Sequence, residues 1–181
     1  MTMSKQANMY AQALYDLAAE EGLREQFLTD LTLLYTIFRD QPDYVRLLSA
    51  PNVSKEERCG LLQESIGAQV HPYVLNFAKL LTEKNHIRQF CDCCKAYEKL
   101  YDQAEGILQV QAVTAVPLTQ PQAEKLQQKL EKLTGKTIRL HNRVDPDCLG
   151  GVRLLYDGKL VEGTVAGNLE NLRKVLAQTV L

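Results

Sequence analysis

The sequence predicts an N-terminal all-α six-helix bundle over residues 1–105 and a small C-terminal α+β domain over residues 106–181. Three observations carry this. Up to Ala104 apolar residues recur every three or four positions, the period of a helix face. At Gly106 the period drops to two in ILQVQAVTAV, as in a strand. Near the end, GVRLLYDGKLVEG reads as two apolar strands around an Asp-Gly turn.

The first helix, SKQANMYAQALYDLAAEEG, places Tyr10, Leu14 and Leu17 at helical spacing and stops at Gly22. A second set, Ala7, Ala11 and Ala18, widens its apolar arc beyond one core contact and offers a second face. The next helix carries Phe27, Leu31, Leu34 and Phe38 and breaks at Pro42; a short helix with Tyr44, Leu47 and Leu48 ends before Pro51. Ser54 with Glu57 forms a capping box for a fourth helix through Leu61 and Leu62 to Gly67. The fifth carries Val74, Phe77, Ala78 and Leu81, and the sixth runs from about Ile87 to Ala104.

Beyond Gly106, Leu108, Val110, Ala112, Thr114 and Val116 form one face of a strand that Pro117 ends. Thr119 and Gln122 suggest another capping box, for a helix with Ala123, Leu126, Leu130 and Leu133 that Gly135 closes. TIRLHNRV is a second strand and DPD a turn. In the hairpin, counting outward from Asp157-Gly158 pairs Tyr156 with Lys159, Leu155 with Leu160, Leu154 with Val161 and Arg153 with Glu162. Val152, Leu154, Val161 and Val165 share its apolar side, and Gly163 opposite Val152 leaves room for a close approach by a final helix bearing Leu169, Leu172 and Leu176.

Composition narrows the class. The 181 residues are 45% hydrophobic and 24% charged, as in a globular protein. No apolar run approaches the roughly 18 residues of a membrane span, and MTMSKQANMYAQ has no basic region followed by an apolar core; a cytoplasmic protein is expected. Five cysteines, an odd number, argue for reduced thiols. The net charge of -1 divides unevenly: residues 1–105 hold 11 Lys+Arg against 15 Asp+Glu, or -4, and residues 106–181 hold 10 against 7, or +3, which suggests different partners for the two parts.

Candidate chemical sites are weak. TGKT at 134–137 has Leu130 where a phosphate loop needs glycine, and a helix where it needs a strand, so a helix stop is expected. Cys91 and Cys94 have CxxC spacing, which opens a thiol redox or metal-binding reading. Yet no second ligand pair accompanies them, and they fall on one helical stripe with Phe90 and Tyr97 as small core residues, with Cys93 pointing elsewhere and partly exposed. His71, His86 and His141 sit in separate elements without a recognisable catalytic partner. Lys125, Lys129, Lys132 and Lys136 form a basic face: a nucleic-acid adaptor surface, an acidic helix's docking face, or simply a solvated one, with no interleaved aromatics to favour the first. No catalytic site, cofactor or metal is expected.

The MYAQALYDLA helix, the helical domain and the block GGVRLLYDGKLVEGTVAGNLENL together resemble the delta subunit family of F-type ATP synthases, whose mitochondrial counterpart is the oligomycin-sensitivity-conferring protein. The residues carrying the resemblance are Gly150-Gly151, Arg153, Asp157-Gly158, Gly163-Thr164, Leu169 and Leu172. It implies a non-catalytic stator, or peripheral-stalk, subunit that links the catalytic head to the b-type subunits and resists rotor torque during proton-driven ATP synthesis. The implied partners are the N-terminal helices of the alpha subunits, for the helical domain, and the b-type subunits, for the C-terminal domain; neither nucleic acid nor membrane insertion is implied. The implied location is peripheral, on the cytoplasmic face of the bacterial plasma membrane. The alpha-subunit groove is implied between the first and fifth helices, with Tyr10, Ala11, Leu14, Ala18, Phe77 and Leu80 as candidates, several of which can equally be core.

Overall fold

The computed structural model describes residues 5–164, and of Thr164 only the strand backbone. The expected final helix, with Val165, Leu169, Leu172 and Leu176, lies outside the described residues. These hold seven α-helices and a four-stranded sheet, a mixed α/β protein that divides into two compact units, Met1–Tyr101 and Asp102–Leu181.

The N-terminal unit runs α1 (Lys5–Glu20), α2 (Arg24–Asp40), α3 (Pro42–Leu48), α4 (Lys55–Ile66), α5 (Pro72–Glu83), a 3-10 turn (Ile87–Gln89) and α6 (Phe90–Ala104), whose last residues pass into the second unit. α1 ends where Gly22 adopts φ +70°: the Leu23 N–H reaches back to the Ala18 carbonyl at 2.9 Å and the Gly22 N–H to that of Ala19 at 3.4 Å, a Schellman closure. Ser54 and Glu57 cap α4 reciprocally at 3.2 and 3.1 Å. Proline opens α3 and α5, where no intrahelical N–H is needed.

These helices enclose one core of Phe27, Leu31, Leu34 and Phe38 from α2, Val74, Leu75, Phe77, Ala78 and Leu81 from α5, and Phe90 and Tyr97 from α6. Phe90 meets Phe38 edge-on at 4.8 Å between ring centres. Two buried ionisable side chains tie helix ends together. Asp30 of α2, 3% exposed, accepts the His71 N–H at 2.7 Å at the start of α5, where the helix dipole favours a carboxylate. Arg58 of α4, 4% exposed, donates to the Leu48 carbonyl at 3.1 Å and to Asn85 Oδ1 at 2.9 Å, fixing the end of α3 and the turn after α5.

Expectation and structure part on α6. Cys93, expected to be partly exposed, is buried at 1%, whereas Cys91 is only half-buried. Because α6 is flanked by helices on more than one side, its core arc extends through Phe90, Cys93, Cys94, Ala96 and Tyr97 and leaves Cys91 at the edge.

In the C-terminal unit β1 (Ile107–Thr114) leads through α7 (Gln120–Thr134) to a parallel partner, β2 (Thr137–Val144). Parallel neighbours need such a crossover. A 3-10 turn, Pro146–Cys148, stands where a simple turn was expected, and the chain returns as the hairpin β3 (Gly151–Tyr156) and β4 (Lys159–Thr164), giving the order β2-β1-β3-β4. Leu108, Val110 and Ile138 form the buried centre, covered by Leu130 of α7 and flanked by Leu140, Leu154 and Tyr156. Leu133, read as part of the apolar stripe of α7, is instead 83% exposed. The face turned inward is Ala123, Leu126, Gln127, Leu130 and Glu131, all half-buried, and Glu131 uses its carboxylate to accept the Ile138 N–H at 3.3 Å.

Arg58→Met keeps the aliphatic bulk but strands the Leu48 carbonyl and Asn85 Oδ1. Urea denaturation of the full chain should show a loss of about 2–3 kcal/mol, mostly the cost of unpairing the buried Leu48 carbonyl from a charged donor.

Candidate subunit interface

α1 turns Ala7, Ala11, Leu14 and Ala18 inward, all buried. The second arc read from its sequence is therefore core as well: the alanines turn inward with Leu14 of the first arc, while Tyr10 and Leu17 are half-buried. Tyr10 lies edge-on against Phe77 of α5 with centres 6.4 Å apart, and its hydroxyl is 3.3 Å from His86 Nδ1. On the opposite flank Tyr15 packs edge-on against Tyr97 of α6 at 5.6 Å. α1 and α5 are thus adjacent, as the groove reading requires.

Of the six candidates there, Ala11 and Ala18 have no exposed surface, Leu14 and Phe77 are 5% and 8% exposed, Tyr10 is half-buried and Leu80 is 41% exposed. Besides Leu80, apolar surface on these two helices is exposed at residues outside the six candidates. Met9 is 63% exposed on α1, and Tyr73 is 37% exposed one helical face along from Leu80 on α5. A signal was present in Tyr73 and Leu80, seven residues apart on α5.

The C-terminal hairpin has the expected register through Arg153↔Glu162 and on to Val152↔Gly163. Arg153 Nε contacts Glu162 at 2.6 Å. Asp157 and Gly158 both have positive φ, +46° and +72°, as a type I′ turn requires. At Gly163 an added Cβ would stand 2.7 Å from the Val152 carbonyl oxygen, so the close approach is by the paired strand's own backbone. Gly135, at φ +66°, closes α7 with its N–H on the Glu131 carbonyl at 2.8 Å, which makes TGKT a helix stop.

Burial works against thiolate formation on the CxxC helix. Burial pushes the Cys93 thiol up to about 12 and Cys94 well above its ordinary value, opposite to what a metal ligand or redox nucleophile needs. Cys94 directs its Sγ toward the Leu31 carbonyl at 3.6 Å, a core contact. Among the described residues no three His, Cys, Asp or Glu side chains gather as a metal site, and no helix is long and apolar enough to cross a membrane.

The family model for the ATP synthase delta (OSCP) subunit matches residues 7–176. The chain belongs to that family. It is 32% identical over 168 residues to ATP synthase subunit delta of Gloeobacter violaceus, covering 92% of this chain and 91% of the relative. The delta subunit of Synechocystis is 32% identical over 170 residues, covering 93% and 92%. A chain of the Toxoplasma gondii mitochondrial ATP synthase hexamer shares the fold, with a TM-score of 0.77 at 18% identity over 96% of this chain and 98% of that one. The resemblance read from the glycine-rich C-terminal block is borne out, and this delta/OSCP family member is a non-catalytic stator subunit.

Two outcomes are expected. Ala11→Trp should destabilise the chain by about 1–3 kcal/mol in urea denaturation, the usual cost of overpacking a closed site, rather than act on a surface. In a native thiol titration near neutral pH, Cys93, Cys94 and Cys148 should stay unreacted until denaturant is added. Because Cys93 is neutral when folded and its value rises from the ordinary 9.0 to about 12, its contribution to stability is intact below pH 9 and lost as pH climbs from 9 towards 12.

Proposed function

We propose that this chain joins the catalytic head of an F-type ATP synthase to its peripheral stalk. The six helices of the N-terminal unit act as one bundle whose α1–α5 surface receives an N-terminal helix of an alpha subunit, and the C-terminal unit joins the b-type subunits. The complex works on the cytoplasmic face of the bacterial plasma membrane, with this chain peripheral to it, and holds the head against rotor torque during proton-driven synthesis.

The observation that carries the reading is the Tyr10–Phe77 contact, which brings α1 beside α5, together with the exposed Tyr73 and Leu80 on α5 and the exposed Met9 on α1. Exposed apolar side chains where two helices meet suit helix-in-groove binding, in which a partner's i, i+4 and i+7 residues dock. Tyr10, Phe77 and Leu80 remain contact candidates on this reading. Leu14, Ala11 and Ala18 support the floor from behind.

Met9→Asp combined with Leu80→Asp should weaken binding of an alpha-subunit N-terminal peptide by about tenfold or more, the scale of an interface hot spot, with an unchanged melting temperature. Calorimetry on the full chain reads both, and equal affinity of the variant and the wild type rejects the surface. A fragment of residues 1–105 should fold as helix by circular dichroism and bind the same peptide.

A further inference from the structure

The outer face of α7 carries charges that its own helix does not balance. Lys125, Lys129 and Lys132 follow one another at helical spacing along the ridge opposite the half-buried Ala123, Gln127 and Glu131, and Lys136 continues the row past Gly135; all four are exposed. A solvated helix face ordinarily places a carboxylate three or four residues from each lysine. Here those positions hold Pro121, Gln122, Gln128, Leu126, Leu133, Gly135 or another lysine. The two carboxylates of α7 are engaged elsewhere, Glu124 with Gln120 at 3.1 Å and Glu131 with Gln127 and the Ile138 N–H. None of the four lysines makes an ion pair with another described residue. Like charges so spaced repel, and directly beside them Leu133 is 83% exposed.

We propose that this ridge docks an acidic amphipathic helix of a stalk subunit, its carboxylates spaced by three and four residues to meet Lys125, Lys129 and Lys132, and an apolar neighbour covering Leu133. The proposal rests on the stator reading and identifies the face of the C-terminal unit that meets the b-type partner. The row from Lys125 to Lys132 spans about 10 Å, two turns of a partner helix. A protein partner fits better than a phosphate-bearing one. The ridge has no arginine to fork onto phosphate and no aromatic side chain to stack on bases. Its few lysines fall at or below the lower end of a lipid-binding basic cluster.

The test titrates the immobilised full-length chain, at rising salt, with three probes: the soluble segment of the host's b-type subunit, phosphatidylglycerol vesicles, and the alpha-subunit N-terminal peptide. The b-type segment should bind, weaken with salt, and lose at least about tenfold in affinity when Lys125, Lys129 and Lys132 all become Glu. Leu133→Asp should also weaken it, while the alpha peptide binds every variant equally. A triple Lys→Gln chain serves if the Glu version melts early. Wild-type affinity in the triple variants overturns the proposal and leaves the stator reading standing. Vesicles binding more tightly than the b-type segment through the same lysines also overturn it, in favour of a membrane. A chain that binds neither the b-type segment nor the alpha peptide removes the stator interfaces and this proposal together.

Discussion

The near-absence of side-chain bulk on the inner face of α1 sets the geometry of the N-terminal unit. Ala7, Ala11 and Ala18 are wholly buried, with Leu14 the one large side chain among them. Small residues let helices approach at the short end of the usual interaxial range. The larger side chains are thereby displaced to the flanks, where Tyr10 packs sideways on Phe77 and Tyr15 on Tyr97. A bulkier inner face would lift α1 away and open both aromatic contacts at once. Met9, two residues from both Ala7 and Ala11, falls on the opposite, outer face of the same helix.

Close packing alone leaves helices free to slide or rotate slightly about their axes; directional bonds oppose this. Asp30 and Arg58 supply them between segments distant in sequence, joining α2 to the start of α5 and α4 to both the end of α3 and the turn after α5. In the C-terminal unit Asp102 receives Arg139 of β2 at 3.5 Å, and Arg153 with Glu162 spans the hairpin. A stator subunit performs by keeping its shape under load, and bonds that hold helix ends and strand registers in place serve that requirement more directly than extra apolar area does.

Much of this was legible in the sequence where one local rule decides the outcome. The Asp157-Gly158 turn fixed the hairpin register residue by residue, because a two-residue loop with positive φ at both positions leaves no freedom to slip. Ser54 and Glu57 marked a helix start, and Gly22 and Gly135 marked helix stops, for equally local reasons. What could not be read depends on which neighbours surround an element. The roles of the Tyr10–Leu17 and alanine arcs on α1, the burial of Cys93 and the exposure of Leu133 all turn on how many sides of a helix are covered, which periodicity does not encode. The parallel pairing of β1 with β2 is likewise set by a contact between segments some thirty residues apart. The candidate interface was the least legible part, since a binding surface is defined by what the core leaves uncovered.

The titration behaviour of the chain agrees with a role that needs no chemistry. Functional sites couple a buried ionisable group to a specific charge so that its proton is poised near neutral pH. Here the thiols of Cys59, Cys91, Cys93 and Cys94 and the phenols of Tyr44 and Tyr97 are all raised, and in each case desolvation is the leading cause. Burial without a compensating charge moves these groups away from the working range and keeps them neutral. Cysteine in α6 then serves as a small apolar side chain: Cys93 and Cys94 belong to the same buried cluster as Phe90 and Tyr97. Burial of the adjacent Cys93 and Cys94 follows from helix packing, just as the glycine spacing of the hairpin follows from turn and ladder geometry.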